Sequence, residues 1–97
     1  MSDVEEMEHY PQFITLKVKS FAILKDIIGT QQITLQLPRK EEGTTVADLR
    51  RRILELYPEI SAQRIAMGIA VNAAMANDKS VINDFDEIVL LPPISGG

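Results

Sequence analysis

The amino-acid sequence predicts a two-layer α+β domain, in which a mixed sheet packs on one long helix. Residues 13–19 and 32–37 alternate apolar and polar side chains, as half-buried strands do. Residues 88–91 are apolar throughout and form a further strand. Before that last strand, apolar residues recur at spacings of three, four and three, which marks one face of a helix: Val46, Leu49, Ile53 and Leu56. One long helix against one sheet gives two layers.

The first half of the chain supplies two strands and both predicted helices. After the first strand, Ala22–Ile28 predicts two turns of helix, and Gly29 follows in the position that favours glycine after a helix end. Pro38 closes the second strand. Thr45 precedes Asp48 by three residues, which gives a weak capping box at the start of the long helix.

The second half of the chain supplies the remaining strands. Pro58 ends the long helix, because the residue before a proline is disfavoured in helical geometry. Residues 67–71 alternate as a third strand, and residues 72–78 hold a tight connection with a short edge strand. Residues 83–86 predict a turn whose side chains bond their own backbone, and the strand 88–91 follows.

Composition indicates one globular domain. The chain has 97 residues, of which 45% are hydrophobic and 25% charged. No apolar run approaches the ~20 residues that cross a bilayer. The absence of cysteine excludes disulfides, zinc–thiolate sites and a cysteine nucleophile. The acidic start resembles neither a secretory signal nor a transit peptide, so we expect a cytoplasmic protein.

Charge is distributed unevenly and divides the chain. Residues 1–12 predict a disordered acidic extension that is dispensable for folding and for partner binding, because they contain few apolar residues. Of 14 acidic residues four lie in this extension, so 14 − 4 = 10 acids face 10 bases in the rest. We expect a domain over residues 13–93 and a flexible C-terminal tail over residues 94–97. A neutral domain disfavours nucleic-acid and anionic-membrane partners.

The side chains offer almost no catalytic or metal-binding constellation. The single histidine, His9, lies in the extension and is expected to be solvated and inert. Asp84, Asp86 and Glu87 cluster near the last turn but lack the spaced oxygen ligands of a cation loop, so we interpret them as a solvated turn and expect no metal. The sequence therefore predicts a protein that is not itself an enzyme.

The one basic run, Arg50 to Arg52, lies on the long helix. Consecutive helical residues fan around the axis and cannot form one patch. We interpret the run as the solvated back of the helix, and the alternative is docking to an acidic partner.

The last strand predicts an exposed apolar surface. Four apolar residues in a strand place two on each face, and one helix cannot cover both faces of a sheet. One pair therefore belongs to the core, and the other pair is expected to lie beside Phe13 on the opposite face. Periodicity does not decide which pair faces outward; we prefer Val89 and Leu91 and predict that they and Phe13 form a partner interface.

The C-terminal residues are the most distinctive feature of the sequence. Pro92 and Pro93 stiffen the chain in an extended form after the last strand, and Ile94, Ser95, Gly96 and Gly97 follow. Because glycine has no Cβ, a Gly-Gly end can thread a channel that is too narrow for side chains. Residues 93–96 are therefore predicted to insert into another protein, with Gly97 at the reacting end.

The chain resembles the small, sulfur-carrying subunits of molybdopterin synthase, within the ubiquitin-like β-grasp superfamily. The residues that carry the resemblance are Phe21-Ala22 with the short helix to Gly29, the long helix from Thr45, Val71-Asn72, Asp86-Glu87-Ile88 and above all the ending PPISGG. The resemblance covers Phe13 to Gly97 and implies a β-grasp fold with a short helix between the first two strands.

The resemblance also implies a function. In this family the terminal glycine, here Gly97, is adenylated with ATP by an enzyme similar to the ubiquitin-activating enzymes, and a sulfur donor converts it to a thiocarboxylate. The tail then inserts into the large synthase subunit and donates sulfur for the dithiolene of the molybdenum cofactor. No cofactor is bound permanently in this scheme, and ATP is used only by the activating enzyme.

Three other functions stay open at this stage. A ubiquitin-like modifier would attach the same activated Gly97 to lysines of other proteins. A thiamine-pathway sulfur carrier is similar but shorter, and the helix between the first two strands favours the molybdopterin carrier over it. A plain binding module would leave the Gly-Gly end idle.

Overall fold

The computed structural model describes residues 12–93. A five-stranded mixed sheet, in the order β2-β1-β7-β4-β5, forms one layer, and β3 pairs with β6 in a separate two-stranded sheet. The strands are β1 (Phe13–Ser20), β2 (Gln32–Pro38), β3 (Thr44–Thr45), β4 (Gly68–Val71), β5 (Ala74–Met75), β6 (Val81–Ile82) and β7 (Glu87–Leu91). The helices are α1 (Ala22–Ile28), α2 (Val46–Leu56) and α3 (Glu59–Ala62). The predicted α+β class and mixed sheet are confirmed.

The core lies between one face of the sheet and the helices. Alternate residues of β1, beginning at Ile14, are buried, and so are Ile88 and Leu90 of β7. They pack with buried residues of the three helices, Leu24, Val46, Leu49, Ile53 and Ile60. β1 and β7 are parallel and adjacent, with Val18 opposite Ile88. The opposite face of the central strands therefore points away from the helices.

The short helix α1 ends as predicted. Gly29 follows it with φ of +93°, a left-handed conformation that L side chains rarely adopt, and its N–H donates to the carbonyl of Lys25. Leu24 is the buried residue of this helix. The left-handed glycine lets the chain turn directly into β2.

The long helix α2 begins at a complete capping box. The N–H of Asp48 donates to Thr45 Oγ1, and the N–H of Thr45 donates to Asp48 Oδ2 at 2.9 Å. Lys40 Nζ lies 2.7 Å from Asp48 Oδ1. The hydrogen bond from Lys40, together with the bond from the Thr45 backbone, lowers the pKa of Asp48 from 3.8 to about 2. The ionised carboxylate therefore stabilises the start of the helix.

Neutralising Asp48 is expected to destabilise the domain in a pH-dependent way. Because the pKa of Asp48 is lower in the folded state, its ionised carboxylate contributes its full stabilisation at pH values above the unfolded-state pKa of 3.8. That stabilisation is lost as the pH falls through the folded-state pKa of about 2. Asp48→Asn should lower the free energy of unfolding by about 2 kcal/mol at pH 7, and the difference should shrink towards zero near pH 2. Urea unfolding across this range measures it, with exposed Asp26→Asn as the control. A difference that is unchanged at low pH would contradict the assignment.

Two features of the middle of the chain were not predicted. The β3–β6 pair has two residues on each strand, which is too short for an alternating pattern to reveal. Helix α3 is a single turn with one buried residue, Ile60. The prediction that Leu56 belongs to the core face of α2 is wrong, because Leu56 is 39% exposed at the last position of that helix.

The β4–β5 hairpin is fixed to the start of β7 through Asn72. Asn72 and Ala73 both have positive φ, as a two-residue hairpin turn requires. Asn72 Oδ1 accepts from the N–H of Glu87 at 2.9 Å, and Asn72 Nδ2 donates to Asp86 Oδ1 at 2.9 Å. The predicted turn over residues 83–86 is confirmed, since Asp86 Oδ2 accepts from the N–H of Asn83.

Candidate functional site: the C-terminal exit

The C-terminal segment leaves the domain from a central strand. β7 lies between β1 and β4 and ends at Leu91. Pro92 is half-buried and Pro93 is exposed. The residues predicted to insert into a partner beyond this point, Ile94, Ser95 and Gly96, and the predicted reacting residue Gly97 lie outside the described residues. Pro93 therefore marks where the domain surface meets the tail.

The two faces of β7 are occupied as predicted from the sequence. Ile88 and Leu90 are fully buried, whereas Val89 and Leu91 are half-buried on the opposite face. The register agrees, because Val89 is opposite Lys19 on β1, a residue of the outer face. Whether Val89 and Leu91 contact a partner stays a prediction.

Two exposed apolar residues that the sequence pattern did not assign to the interface, Phe21 and Met75, extend this surface. Ala70 of β4 is opposite both Val89 and Met75 in the sheet, but it is itself buried and only connects them. Met75 is 68% exposed. Phe21 is 41% exposed and directly follows Ser20, the β1 residue that lies opposite Leu90. We call the exposed and half-buried members of this group the exit patch: Phe21, Met75, Val89 and Leu91.

The contacts around Gly68 indicate that the exit patch is continuous. A Cβ built on Gly68 would lie 3.4 Å from Met75 Cε and 3.7 Å from Leu91 Cβ. Gly68 thus brings Met75 and Leu91 together at the point where β7 ends. The alternation of β1, continued one residue past its end, places Phe21 on the outer face. The outer position of Phe21 could therefore be predicted from the sequence. The position of Met75 could not, because it depends on the register of the β4–β5 hairpin.

Phe13 does not lie beside the other two predicted interface residues, and that part of the prediction is wrong. Lys17 is opposite Glu87 in the parallel β1–β7 pair. Phe13 is four residues before Lys17, and Leu91 is four residues after Glu87. The separation along the strands is therefore about 26 Å, from eight residues at a rise of ~3.3 Å. Phe13 is 49% exposed but lies at the opposite end of the sheet from the exit patch.

Charged side chains on the outer face of the sheet and in the last turn are paired. Lys19 Nζ lies 3.8 Å from Glu87 Oε1 on the outer face. Asp84 Oδ1 accepts from the N–H of Thr15 at 2.7 Å, and Arg39 Nη2 lies 3.7 Å from Asp84 Oδ2. The carboxylates of the last turn thus take part in structural contacts.

Residues 12–93 contain no group of three or more His, Cys, Asp and Glu that could hold a metal ion. Within the same range, no helix has the length and apolar character that would let it cross a membrane.

This arrangement defines a class of protein: a ubiquitin-like β-grasp domain whose outer sheet face adjoins its C-terminal tail. The ThiS family model matches residues 18–97. The chain belongs to the ThiS family.

Proteins from several eukaryotes are similar over most of their length. A molybdopterin synthase sulfur carrier subunit from Dictyostelium discoideum is 37% identical over 83 residues, covering 84% of this chain and 94% of that protein. The molybdopterin synthase sulfur carrier subunit of Caenorhabditis briggsae is 35% identical over 86 residues, covering 87% of this chain and 99% of that protein.

Solved structures share the fold. The small archaeal modifier protein 1 from Methanosarcina acetivorans has a TM-score of 0.70 at 25% identity, covering 90% of this chain and 100% of that one. A Pyrococcus furiosus protein assigned as molybdopterin converting factor, subunit 1, has a TM-score of 0.72 at 24% identity, covering 84% of this chain and 99% of that one. The predicted β-grasp fold is confirmed.

Proposed function

We propose that this chain is the sulfur carrier subunit of molybdopterin synthase and that it carries sulfur as a thiocarboxylate on Gly97. The observation that carries the proposal is the exit of the tail from β7 beside an exposed apolar patch, in a chain of the ThiS family whose match extends through Gly97. The names of the relatives support the same assignment. The carrier does not itself catalyse the reaction in this account.

Gly97 is the group best suited to hold the sulfur. The sequence contains no cysteine, so no thiol can serve as the carrier. An α-carboxyl has a pKa of about 3.3–3.7 and is an unreactive carboxylate at neutral pH. A carboxylate oxygen must first attack the α-phosphorus of ATP with release of pyrophosphate. A hydrosulfide-level donor then attacks the acyl carbon, AMP leaves, and a thiocarboxylate remains.

The exit patch supports the docking half of the proposal. Binding of the patch by a large synthase subunit or by an adenylating enzyme would fix the point from which the tail enters the partner. Pro92 and Pro93 restrict φ at this point, so less conformational freedom is lost when the tail is ordered. Residues without bulky side chains near the end allow close approach to a reacting group.

A protein modifier is the second candidate function. The observation in its favour is the 25% identity and shared fold with the modifier from Methanosarcina acetivorans. Both functions use an activated Gly97, and they differ in the acceptor. A carrier passes sulfur to a precursor inside a synthase, whereas a modifier forms an amide bond with a lysine of another protein.

Isolation of the chain from its own cells distinguishes the two. The chain should co-purify with one large partner in a stoichiometric complex that dissociates in denaturant. A ladder of denaturant-resistant conjugates, with Gly97 joined to lysines, would instead identify a modifier. Absence of both would favour a plain binding module.

A further inference from the structure

A cleft at the end of the sheet opposite the exit patch is not used by the proposed function. It lies between β2 and α2 and has a volume of about 380 Å³. The lining residues that matter here are Phe13, Pro38, Lys40, Arg51, Arg52 and Glu55. The half-exposed ring of Phe13 gives the cleft an apolar side.

Three cations and two carboxylates line this cleft. Asp48 also lines it, but its side chain is only 11% exposed, and its Oδ1 meets Lys40 Nζ at 2.7 Å and Arg51 Nη2 at 3.2 Å. Lys40, Arg51 and Arg52 are 41%, 64% and 47% exposed, so each keeps donors that face solvent. Glu55 is the remaining lining carboxylate, is 58% exposed and lies 3.5 Å from Arg52, so the cleft keeps a small excess of positive charge.

The basic run of α2 diverges as the helical geometry requires. Arg50 turns away from the cleft, donating to the carbonyl of Met67 and, at 3.2 Å, to Asp78 Oδ1. Arg51 and Arg52 stay on the cleft with Lys40. Glu41 and Glu42 are exposed in the adjoining loop and are not among the lining residues. The cleft therefore suits an acidic segment with some apolar side chains.

A segment of that kind joins the domain beside the cleft. Residues 1–11 contain four acids and neither lysine nor arginine, together with Val4, Met7 and Tyr10. They join the domain at Gln12, whose carbonyl accepts from the N–H of Arg39 at 2.8 Å, next to the cleft residues Phe13 and Pro38. Eleven residues span at most about 36 Å, which suffices to reach α2.

We propose that the acidic segment over residues 1–11 docks in the cleft between β2 and α2 of its own chain. The carboxylates pair with Lys40, Arg51 and Arg52, and apolar side chains of the segment contact Phe13. Covalent attachment supplies an effective concentration in the millimolar range, so a weak contact is enough. The contact depends on salt, because exposed ion pairs are screened.

Such docking leaves the exit patch free. The cleft is at the Phe13 end of β1, and the exit patch is at the other end. Removal of residues 1–12 is therefore still expected to leave partner binding intact. What docking changes is the exposure of Phe13 and of the basic face of α2, which the segment covers.

Paramagnetic broadening in the full-length chain tests the proposal. Since the sequence has no cysteine, Ser2→Cys gives one site for a nitroxide label. In about 0.01 M salt, where the Debye length is about 30 Å, the amide signals of Arg51, Arg52 and Glu55 should broaden. In about 1 M salt, where it is about 3 Å, they should recover at least half of their intensity. Arg51→Glu should have the same effect as high salt.

Matched samples make the outcome decisive. Lys25→Glu, which reverses an exposed charge on α1, should leave the broadening unchanged. Broadening confined to residues next to Gln12, and insensitive to salt and to Arg51→Glu, would overturn the proposal. A second sample mixes chain that carries the nitroxide with isotope-labelled chain that carries none. Broadening in that mixture would show docking between two copies and would also overturn the proposal.

Discussion

Deletion of Gly97 is expected to abolish molybdopterin formation in a reconstituted system while leaving the domain folded. The chemistry requires an α-carboxyl at the depth where the partner activates it, and deletion moves the carboxyl back by one residue, or about 3.5 Å. Reacting atoms must approach to about 3–3.5 Å, so a displacement of this size eliminates transfer. None of the buried residues that form the described core lies beyond Leu90.

Gly96→Val tests the same point without changing the length of the tail. A β-branched side chain is stiff and wide, and a channel shaped for backbone would exclude it. We expect a loss of at least about 100-fold in the rate of sulfur transfer, the loss that a misplacement of about 1 Å can cause. Ser95→Ala, a smaller change in the same tail, should retain the rate, and melting curves of all three variants should coincide. Full activity of the deletion variant would exclude Gly97 as the carrier.

A charge on β7 is expected to have opposite consequences at two adjacent positions. Leu90→Asp places an unpaired carboxylate among fully buried side chains. It should lower the free energy of unfolding by about 3 kcal/mol or more, which is a large part of the about 5–15 kcal/mol that is typical of a domain. Leu91→Asp places the charge on the half-buried outer face, where it should leave the fold largely intact. It should weaken binding of the synthase large subunit by about 30-fold, as loss of an interface hot spot does.

Calorimetry of the free domain and titration of the large subunit measure the two effects separately. Thr34→Asp provides the control, because Thr34 is exposed on the outer face of β2, an edge strand remote from the exit patch. Its affinity for the large subunit should match that of the unaltered chain. If Leu91→Asp unfolds the free domain, the facing of β7 is wrong. If it binds as tightly as Thr34→Asp, the exit patch is not the interface.

Elements with a long repeating pattern could be predicted from the sequence. The strand alternation at Ile14, Leu16 and Val18 and the helical spacing from Val46 to Ile53 both identify their buried faces correctly. Gly29 and the Thr45–Asp48 pair predict their local geometry because few residue types can serve at those positions. Short elements such as α3 and the β3–β6 pair depend on tertiary contacts, which a local pattern does not encode.

The exit patch was only partly predictable for a related reason. Four consecutive apolar residues do not tell which pair of β7 faces outward, and the preference for Val89 and Leu91 agrees with their half-buried state in the structure. Period-two alternation also does not tell how far apart two residues on one face lie, so the placement of Phe13 beside them is wrong. That distance follows from the parallel register of β1 and β7, and the position of Met75 follows from the β4–β5 hairpin. Long-range pairing of this kind is set by the whole fold.

The sulfur is proposed to reside on the carboxyl of Gly97. The most direct measurement is the mass of the chain after incubation with ATP, its adenylating enzyme and a sulfur donor, followed by fragmentation. We expect a mass gain equal to one sulfur replacing one oxygen, located on Gly97, and no gain when ATP is omitted. An unchanged mass in the presence of a demonstrably active enzyme, or a sulfur located on any other residue, would contradict it.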